Sequence, residues 1–487
     1  MKYKGSYFDM WDAWYLNDNG RVYGFHLKSH PGENWNVGYV YTDDLLHFKK
    51  LRDVLETLPE EQYPEDCLGK FTGCAVKKDG QYYLFYTMRD RYRSEKIGLA
   101  ISEDGEHFEE YGNNPVLVPD ESLFIVRPKG EHTDCRDMHI VYDAATGRYY
   151  GYFAAAANVQ GRGEVGVVGV AESTDLLHWV KQRIVYTPDF NGIVEVPNVF
   201  QLGSKWYMTL LTGAWYGGRG ACPETDLSCV TVSVAADSPV GPFRRTKDTV
   251  FLGGTQKSGY ACKSVEYNGK MYAFYIDRSE YGSAISLPKE IRRIGESIKP
   301  CYTDILKQLR VREWDCFTYS ELPTAWAWPG VSAGRIVPGK QKTVIETQAN
   351  SLQGFRLKGI STSVMEAEFT LSGDCVEAGF VLLCSGDEEI WGQCAVNEYY
   401  IALNREENQL ILYGNRLEPL YRRKLDMTEK NAVHIRLLAM EGQLEVYVGG
   451  ILQMQCGIKT EKTISGGVFA FSGSAVFTDM RLYALES

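Results

Sequence analysis

The chain has 487 residues, a formal net charge of −11, 44% hydrophobic residues and an aromatic content rich in Tyr. That length is too great for one ordinary core, so two domains are expected. The acidic balance, without any block of Lys or Arg, excludes a nucleic-acid footprint and an anionic membrane surface, and no apolar run reaches the roughly 18 residues a membrane helix needs.

At the N-terminus, MKYKGSYFDMWDAW carries two lysines but no apolar segment of a secretory signal. The cysteines are scattered, with neither a CxxC pair nor a Cys/His cluster at zinc spacing. This usage suits reduced, buried thiols, so a cytoplasmic protein with no metal and no cofactor is expected.

Five segments then repeat a turn followed by an aromatic strand: NGRVYGFHL, DGQYYLFYT, TGRYYGYFA, GSKWYMTLL and NGKMYAFYI. Their matching tyrosines are Tyr23, Tyr83, Tyr150, Tyr207 and Tyr272. Asn-Gly or Asp-Gly ahead of alternating aromatics signals a hairpin. A second repeat follows the first in register: GYVYTDDLLHF, GLAISEDGEHF, GVAESTDLLHW and the degraded VSVAADSPVGPF. Each reads as a strand and then an Asp-centred turn presenting His and an aromatic. About four short strands per unit predict an all-β fold, a five-bladed β-propeller over residues 1–310.

The texture changes near residue 286, where SLPKEIRRIGESIKPCYTDILKQLRV carries helix-forming residues. Residues 311–340 read as a linker punctuated by Pro and Gly. From 341 to 487 the alternation returns, as in SVMEAEFTL and GQLEVYVGG, and predicts a β-sandwich with no catalytic constellation.

Counting back 11 to 13 residues from each repeat tyrosine reaches the preceding, innermost strand. There stand Asp12, Asp137 and Glu195 in units one, three and four, whereas FTGCAV and GYACKSV in units two and five hold no carboxylate. Inner strands of a propeller converge on one axial funnel, so these three carboxylates should share a pocket. Burying them together opposes folding and separates their pKa values. Glycosidic bond cleavage needs such a set, one carboxyl to protonate the leaving oxygen and another to attack or to activate water.

On these residues the chain resembles glycoside hydrolase family 32, the invertase, levanase and inulinase family, which joins a five-bladed propeller to a β-sandwich. The stretch from Asp12 to VYGFHLKSHP keeps the family's spacing from the nucleophile of WMNDPNG to YHLFYQYNP. Phe71 precedes Thr72-Gly73-Cys74-Ala75-Val76, which stands for SGSAV. Arg136 and Asp137 match RDP with Met138 for the proline, and Glu195-Val196-Pro197 matches ECP. The resemblance implies Asp12 as nucleophile, Asp137, held by Arg136, as transition-state stabiliser and Glu195 as acid/base. It places Trp11, Lys28, Trp35, Phe71, Thr72 and Arg136 around the sugar. Ala13, Trp14 and Tyr15 replace the family's Pro-Asn-Gly, Trp11 its Asn, Lys28 its Gln and Val196 its Cys. Several of these departures fall on positions that line the sugar subsite in the family, and none removes a carboxylate.

The implied activity is retaining hydrolysis of β-fructofuranosides of sucrose or fructan type, with an oligosaccharide as partner and a second copy of the chain left open. A retaining pair of carboxyls lies about 5–5.5 Å apart, against roughly 6.5–9.5 Å for an inverting pair. Two alternatives stand beside it: an inverting arabinanase- or xylosidase-type furanosidase, and a carbohydrate-binding propeller without turnover. Asp9 is the weaker nucleophile candidate, Asp18 reads as a turn residue and Asp134 as a neighbour of the RD pair. His26, His30, His132 and His139 lack metal-ligand spacing and read as packing or hydrogen-bonding groups. Lys28, Arg89 and Arg91 could meet an anionic sugar but read first as paired or solvated. Trp11, Trp14 and Trp35 are candidates to stack on a sugar face.

Overall fold

The computed structural model describes residues 9–29, 34–217, 229–253, 260–279, 282–314, 316, 318–321, 334–339, 341–390, 393–426, 432–440, 442–460 and 463–486. His30, the Asp9 side chain and half of the expected linker lie outside the described residues. The chain divides into two compact units, one of residues 1–278 and 282–300, the other of residues 279–281 and 301–487.

The first unit contains four separate four-stranded antiparallel sheets. They are Asp9–Asp18, Arg21–Ser29, Asn36–Thr42 and Lys49–Lys50 (β1–β4), then Gly69–Lys78, Gln81–Arg89, Glu95–Ser102 and Glu109–Glu110 (β5–β8). Cys135–Asp143, Arg148–Val159, Gly163–Ser173 and Val180–Tyr186 (β9–β12) follow, and Glu195–Leu202, Lys205–Thr212, Val230–Ala236 and Arg244–Leu252 (β13–β16) make the fourth. Tyr260–Tyr267, Lys270–Ser279, Gly282–Ile285 and Lys289–Ile294 (β17–β20) also pair in chain order, but do not end as a separate four-stranded sheet. The repeat tyrosines all sit on the second strand of their set, Tyr23 opposite Leu16, Tyr83 opposite Val76, Tyr150 opposite Val141, Tyr207 opposite Phe200 and Tyr272 opposite Val265.

Local chemistry explains the hairpins. Asn19-Gly20, Asp79-Gly80 and Asn268-Gly269 all have positive φ, which a two-residue type I′ turn requires at both central positions and which these residue types tolerate. Apolar layers then fill the space between neighbouring sheets: Trp14, Phe25, Tyr39, Leu84 and Tyr86 between the first two, and Phe85, Leu99, Met138, Ile140 and Phe153 between the next two. Burying such side chains is the main favourable term in assembling the unit. The inner strands contact one another in a ring, β1 with β5, β5 with β9, β9 with β13, β13 with β17, and β17 with β1. The last step is fastened by Asn17 Nδ2 donating to the Glu266 carbonyl (2.8 Å) and the Tyr267 hydroxyl donating to the Asp43 carbonyl (2.6 Å).

Two details recur around this propeller arrangement. The first is a β-bulge near the start of each inner strand: at Asp12, Thr72-Gly73, Asp137-Met138, Val196-Pro197 and Ala261-Cys262. A bulge inserts an unpaired residue and re-aims the adjacent side chains. Asp137, Val196 and Ala261 take positive φ there (60°, 51° and 49°). At Gly73 a Cβ would lie 1.8 Å from the Phe85 carbonyl oxygen, so only glycine fits.

The second detail is the outer turn. Asp44 Oδ1 accepts the backbone N–H of Leu46 (2.9 Å) and His47 (2.8 Å), while Oδ2 meets His47 Nδ1 (2.6 Å). Asp104 does the same with Glu106 and His107, and Asp175 with Leu177 and His178.

Elsewhere the structure departs from the sequence expectations. The stretch from 286 to 311 is mostly a β-hairpin, Lys289–Ile294 and Ser297–Cys301, with only Asp304–Leu309 forming a short 3₁₀ helix. Gly295, at φ 62°, supplies the turn, and the buried Ile291 and Ile298 favour strand packing over helix. Asp18 serves less as a turn residue than as a bridge to the next sheet, bonding Lys77 and the Tyr82 hydroxyl (2.7 and 2.6 Å), while Asn17 Oδ1 closes the turn onto Gly20.

The second unit is all-β. Lys342–Leu357, Met365–Gly373 and Glu377–Ile390 each pair antiparallel with the long C-terminal strand Thr463–Leu485. Its buried Glu366 is held bidentately by Arg310 (2.7 Å twice), and also by Arg436 and the Tyr302 hydroxyl, so the charge is paired where it is desolvated.

Candidate active site

The inner-strand bulges bring the three carboxylates into one hydrogen-bonded system. Asp12 and Asp137 are 6% and 4% exposed, and a fifth of the Glu195 side chain reaches solvent. Thr72 Oγ1, from the second sheet's bulge, donates to Asp12 Oδ2 (2.5 Å). The Thr72 carbonyl accepts the Thr87 hydroxyl (2.8 Å), whose oxygen in turn accepts the Asp137 N–H (2.9 Å). Asp137 Oδ2 then accepts the N–H of Val196, the residue after Glu195 (2.9 Å). A continuous chain of bonds thus runs through the first four sheets and fixes Asp12, Asp137 and Glu195 relative to each other.

Arg136 is the cation of this cluster. It lies 3.2 Å from Glu195 Oε1 through Nη2 and 3.0 Å from Glu95 Oε2 through Nη1, and Nη1 also bonds Asp134. The sequence expectation that Arg136 holds Asp137 needs amending, because its Nε is 3.8 Å from Asp137 Oδ2, beyond a hydrogen bond. Asp137 is held by the Val196 amide instead.

Burial pushes the carboxyls of Asp137 and Glu195 above their ordinary values; Asp12 adds to both shifts and Arg136 opposes them. The cluster therefore retains protons at pH values where isolated carboxylates have lost them. A group that must donate a proton near neutrality requires such a setting.

The flanking wall is aromatic. Trp11 packs edge-on to Trp35 (5.2 Å between centroids) and to Tyr260 (5.5 Å), and Trp35 tilts against Phe71 (6.2 Å). Trp14 is buried and stacked on Phe25, so it is a core residue and cannot meet a sugar. Lys28 is paired with Asp53 at the edge of β2. Arg89 pairs with Glu95 and lies over the Phe71 ring (4.0 Å), whereas Arg91 pairs with Glu60 at the surface. His26, buried, and His139, half-buried, each meet a backbone carbonyl and are driven down by desolvation to about 4 and about 3, and His132 joins Asp134.

Sequence reading missed three residues. Lys263, on the inner strand of β17–β20, is buried and donates to the Pro197 carbonyl (2.8 Å), gripping the bulge that carries Glu195. Burial pulls its ammonium below the ordinary Lys value, and the charges of Asp137 and Asp12 push the other way. Tyr260, hydrogen-bonded to Tyr216, is buried in the field of Asp12 and Glu195, which with burial holds its phenol well above its ordinary value. Glu95 is fully buried between Arg89 and Arg136. The signal for Lys263 was a Lys following the apolar Ala261-Cys262 pair, which stands where other units carry an inner-strand carboxylate; for Glu95 it was a carboxylate opposite Arg89 across a hairpin.

A ring of antiparallel sheets with acidic bulges at its centre defines a glycosidase-type propeller by its chemistry. The model of the glycosyl hydrolases family 32 N-terminal domain matches residues 17–284. The chain belongs to glycosyl hydrolase family 32. A raffinose invertase of Escherichia coli is 33% identical over 129 residues, 24% of this chain and 26% of that protein. A xylosidase/arabinosidase of Bacteroides ovatus is 23% identical over 328 residues, covering 58% and 88%. The chain thus spans about a quarter of the invertase and most of the second relative. Among solved structures, the Bombyx mori family 32 β-fructofuranosidase in complex with sucrose superposes with a TM-score of 0.67 at 20% identity, covering 100% of this chain and 93% of that one.

Proposed function

We propose that the protein is a retaining glycoside hydrolase acting on β-fructofuranosides of sucrose or fructan type. The observation that carries this reading is the trio Asp12, Asp137 and Glu195, drawn together at the inner bulges, with both aspartates buried and proton affinity raised at Asp137 and Glu195. Asp12 attacks the anomeric carbon as the bond to the leaving oxygen breaks, and Glu195 gives that oxygen its proton. Water then attacks the glycosyl-enzyme, Glu195 takes its proton, and Asp12 leaves as a carboxylate. Asp137, oriented by the Val196 amide, accepts hydrogen bonds from ring hydroxyls as positive charge develops. Trp11, Trp35, Phe71, Thr72, Lys28 and Arg136 form the sugar-facing shell in this reading.

The ring of five inner strands supports counting β17–β20 as a fifth blade, and the paired strands of the second unit support a sandwich. The buried thiols of Cys67, Cys74, Cys135, Cys262 and Cys375 support a reducing compartment. The match to a xylosidase/arabinosidase keeps one second reading in play, an inverting furanosidase in which Asp12 activates water.

A reducing-sugar assay across sucrose, inulin, levan and arabinan separates them. Release from the fructose-containing substrates and none from arabinan is expected. Turnover of arabinan alone overturns the fructoside reading.

A further inference from the structure

Glu95 lies outside the three catalytic motifs and is wholly buried at the start of β7. Its Oε1 accepts Arg89 Nε (3.0 Å) and Nη2; its Oε2 accepts Arg136 Nη1 (3.0 Å) and the Cys135 N–H (3.3 Å). A buried carboxylate between two guanidinium groups is both a charge partner and a clamp. The clamp fixes the fork of Arg136, leaving Nη2 directed at Glu195 Oε1 (3.2 Å) and Nε towards Asp137. Among the described residues no other carboxylate as buried hydrogen-bonds that fork; Asp134, on the same Nη1, is partly exposed.

We propose that Glu95 is a positioning residue of this active site: it orients Arg136 and neutralises its charge, so that Glu195 can carry the proton that the leaving group takes.

The sign follows from what surrounds Glu195. Arg136 and Arg89 favour its ionised form; Asp12 and Glu95 disfavour it, as does burial. Asp137, Tyr216 and Tyr260 also face it from neighbouring strands and the 3₁₀ turn Ala214–Tyr216. Without Glu95, Arg136 acts as a less compensated positive charge 3.2 Å from the general acid, with Asp134 still on Nη1. Glu195 then loses its proton at lower pH, and the first chemical step fails sooner as pH rises.

This rests on Glu195 as the proton donor, and the experiment separates the two ideas. The pH dependence of kcat/KM is measured on sucrose for the wild type, Glu95→Gln, Glu95→Asp, Asp134→Asn and Glu195→Gln. The same set is measured on an aryl β-fructofuranoside, whose leaving phenolate needs no proton. Glu95→Gln is expected to move the alkaline limb on sucrose down by about one pH unit, roughly tenfold in rate on that limb. Glu95→Asp, which keeps the charge, should restore the limb, and the aryl substrate should show little shift. Asp134→Asn, at a less buried carboxylate on the same nitrogen, should shift the limb in the same direction by less and serves if Glu95→Gln does not fold. Equal loss at every pH in Glu95→Gln, or an unmoved limb in Asp134→Asn where only that variant folds, overturns the clamp. Glu195→Gln retaining the wild-type limb on sucrose overturns the proton-donor reading itself.

Discussion

Carboxylates do opposite work at the outer turns and at the inner bulges of the propeller sheets. On the outer turns Asp44, Asp104 and Asp175 each accept two backbone amides and a His ring nitrogen, and these bonds hold their carboxyls below the ordinary value. At the inner bulges, Asp137 and Glu195 are desolvated beside other acids and are displaced upwards. An outer Asp makes its turn more stable. An inner carboxylate is held by bulges and left-handed backbone in a place that opposes folding, which is the usual mark of a site selected for chemistry.

The largest effect that could break this contrast is catalytic. Asp12→Asn and Glu195→Gln should lower kcat/KM on sucrose by roughly 10³-fold or more with circular dichroism unchanged, because each removes a group used in bond making or proton transfer. Near-normal turnover in either variant would remove the inner cluster's claim to chemistry.

The next effect is on stability and should change sign between the two ends. Because the Asp137 carboxyl is raised, the folded state binds protons that the unfolded chain releases above about pH 4, so stability declines as pH rises from there towards the folded pKa. Asp137→Asn keeps an oxygen for the Val196 amide and removes that penalty. Thermal unfolding at pH 7 should show a melting temperature a few degrees above wild type, with the difference fading towards pH 4. A melting temperature below wild type at pH 7 would show the inner cluster to be structurally stabilising.

The smallest effect is at the outer turn. Asp175→Ala removes acceptors for the Leu177 and His178 amides and should cost about 1 kcal/mol in urea unfolding, like loss of a helix cap, with activity intact. Since the Asp175 carboxyl is lowered, its contribution is present at neutral pH and is lost as pH falls below about 4. Unchanged stability at pH 7 would reduce the repeated Asp turn to a sequence habit.

Much of this was legible because its causes are local. Asn19-Gly20 and Asp79-Gly80 dictate hairpins, and the turn Asp recurs at a fixed offset from its His. The three carboxylates could be found because the repeat carried their positions from one sheet to the next. Glu95 and Lys263 left only weak local signals, since what makes them matter is a partner far along the chain: Arg136 in one case, the Pro197 carbonyl in the other. The stretch 286–311 misled for a related reason. Its Lys and Glu residues suit a helix, yet Lys289 and Glu290 are drawn into strand pairing opposite Ala273 and Tyr272. Tertiary pairing overrode propensity there. Arg136 was found, but its closer partner proved to be Glu195 rather than the adjacent Asp137, because the bulge at Asp137 turns the two side chains apart.

The central claim is that Asp12 acts by direct attack, in a pocket that five bulges assemble. Turnover of sucrose in aqueous methanol tests it most directly, with NMR assignment of the methyl fructofuranoside formed before any secondary reaction. A covalent glycosyl-enzyme on Asp12 passes through two inversions and must give the β-anomer. The α-anomer as first product would contradict direct attack and make Asp12 the base that activates the incoming nucleophile.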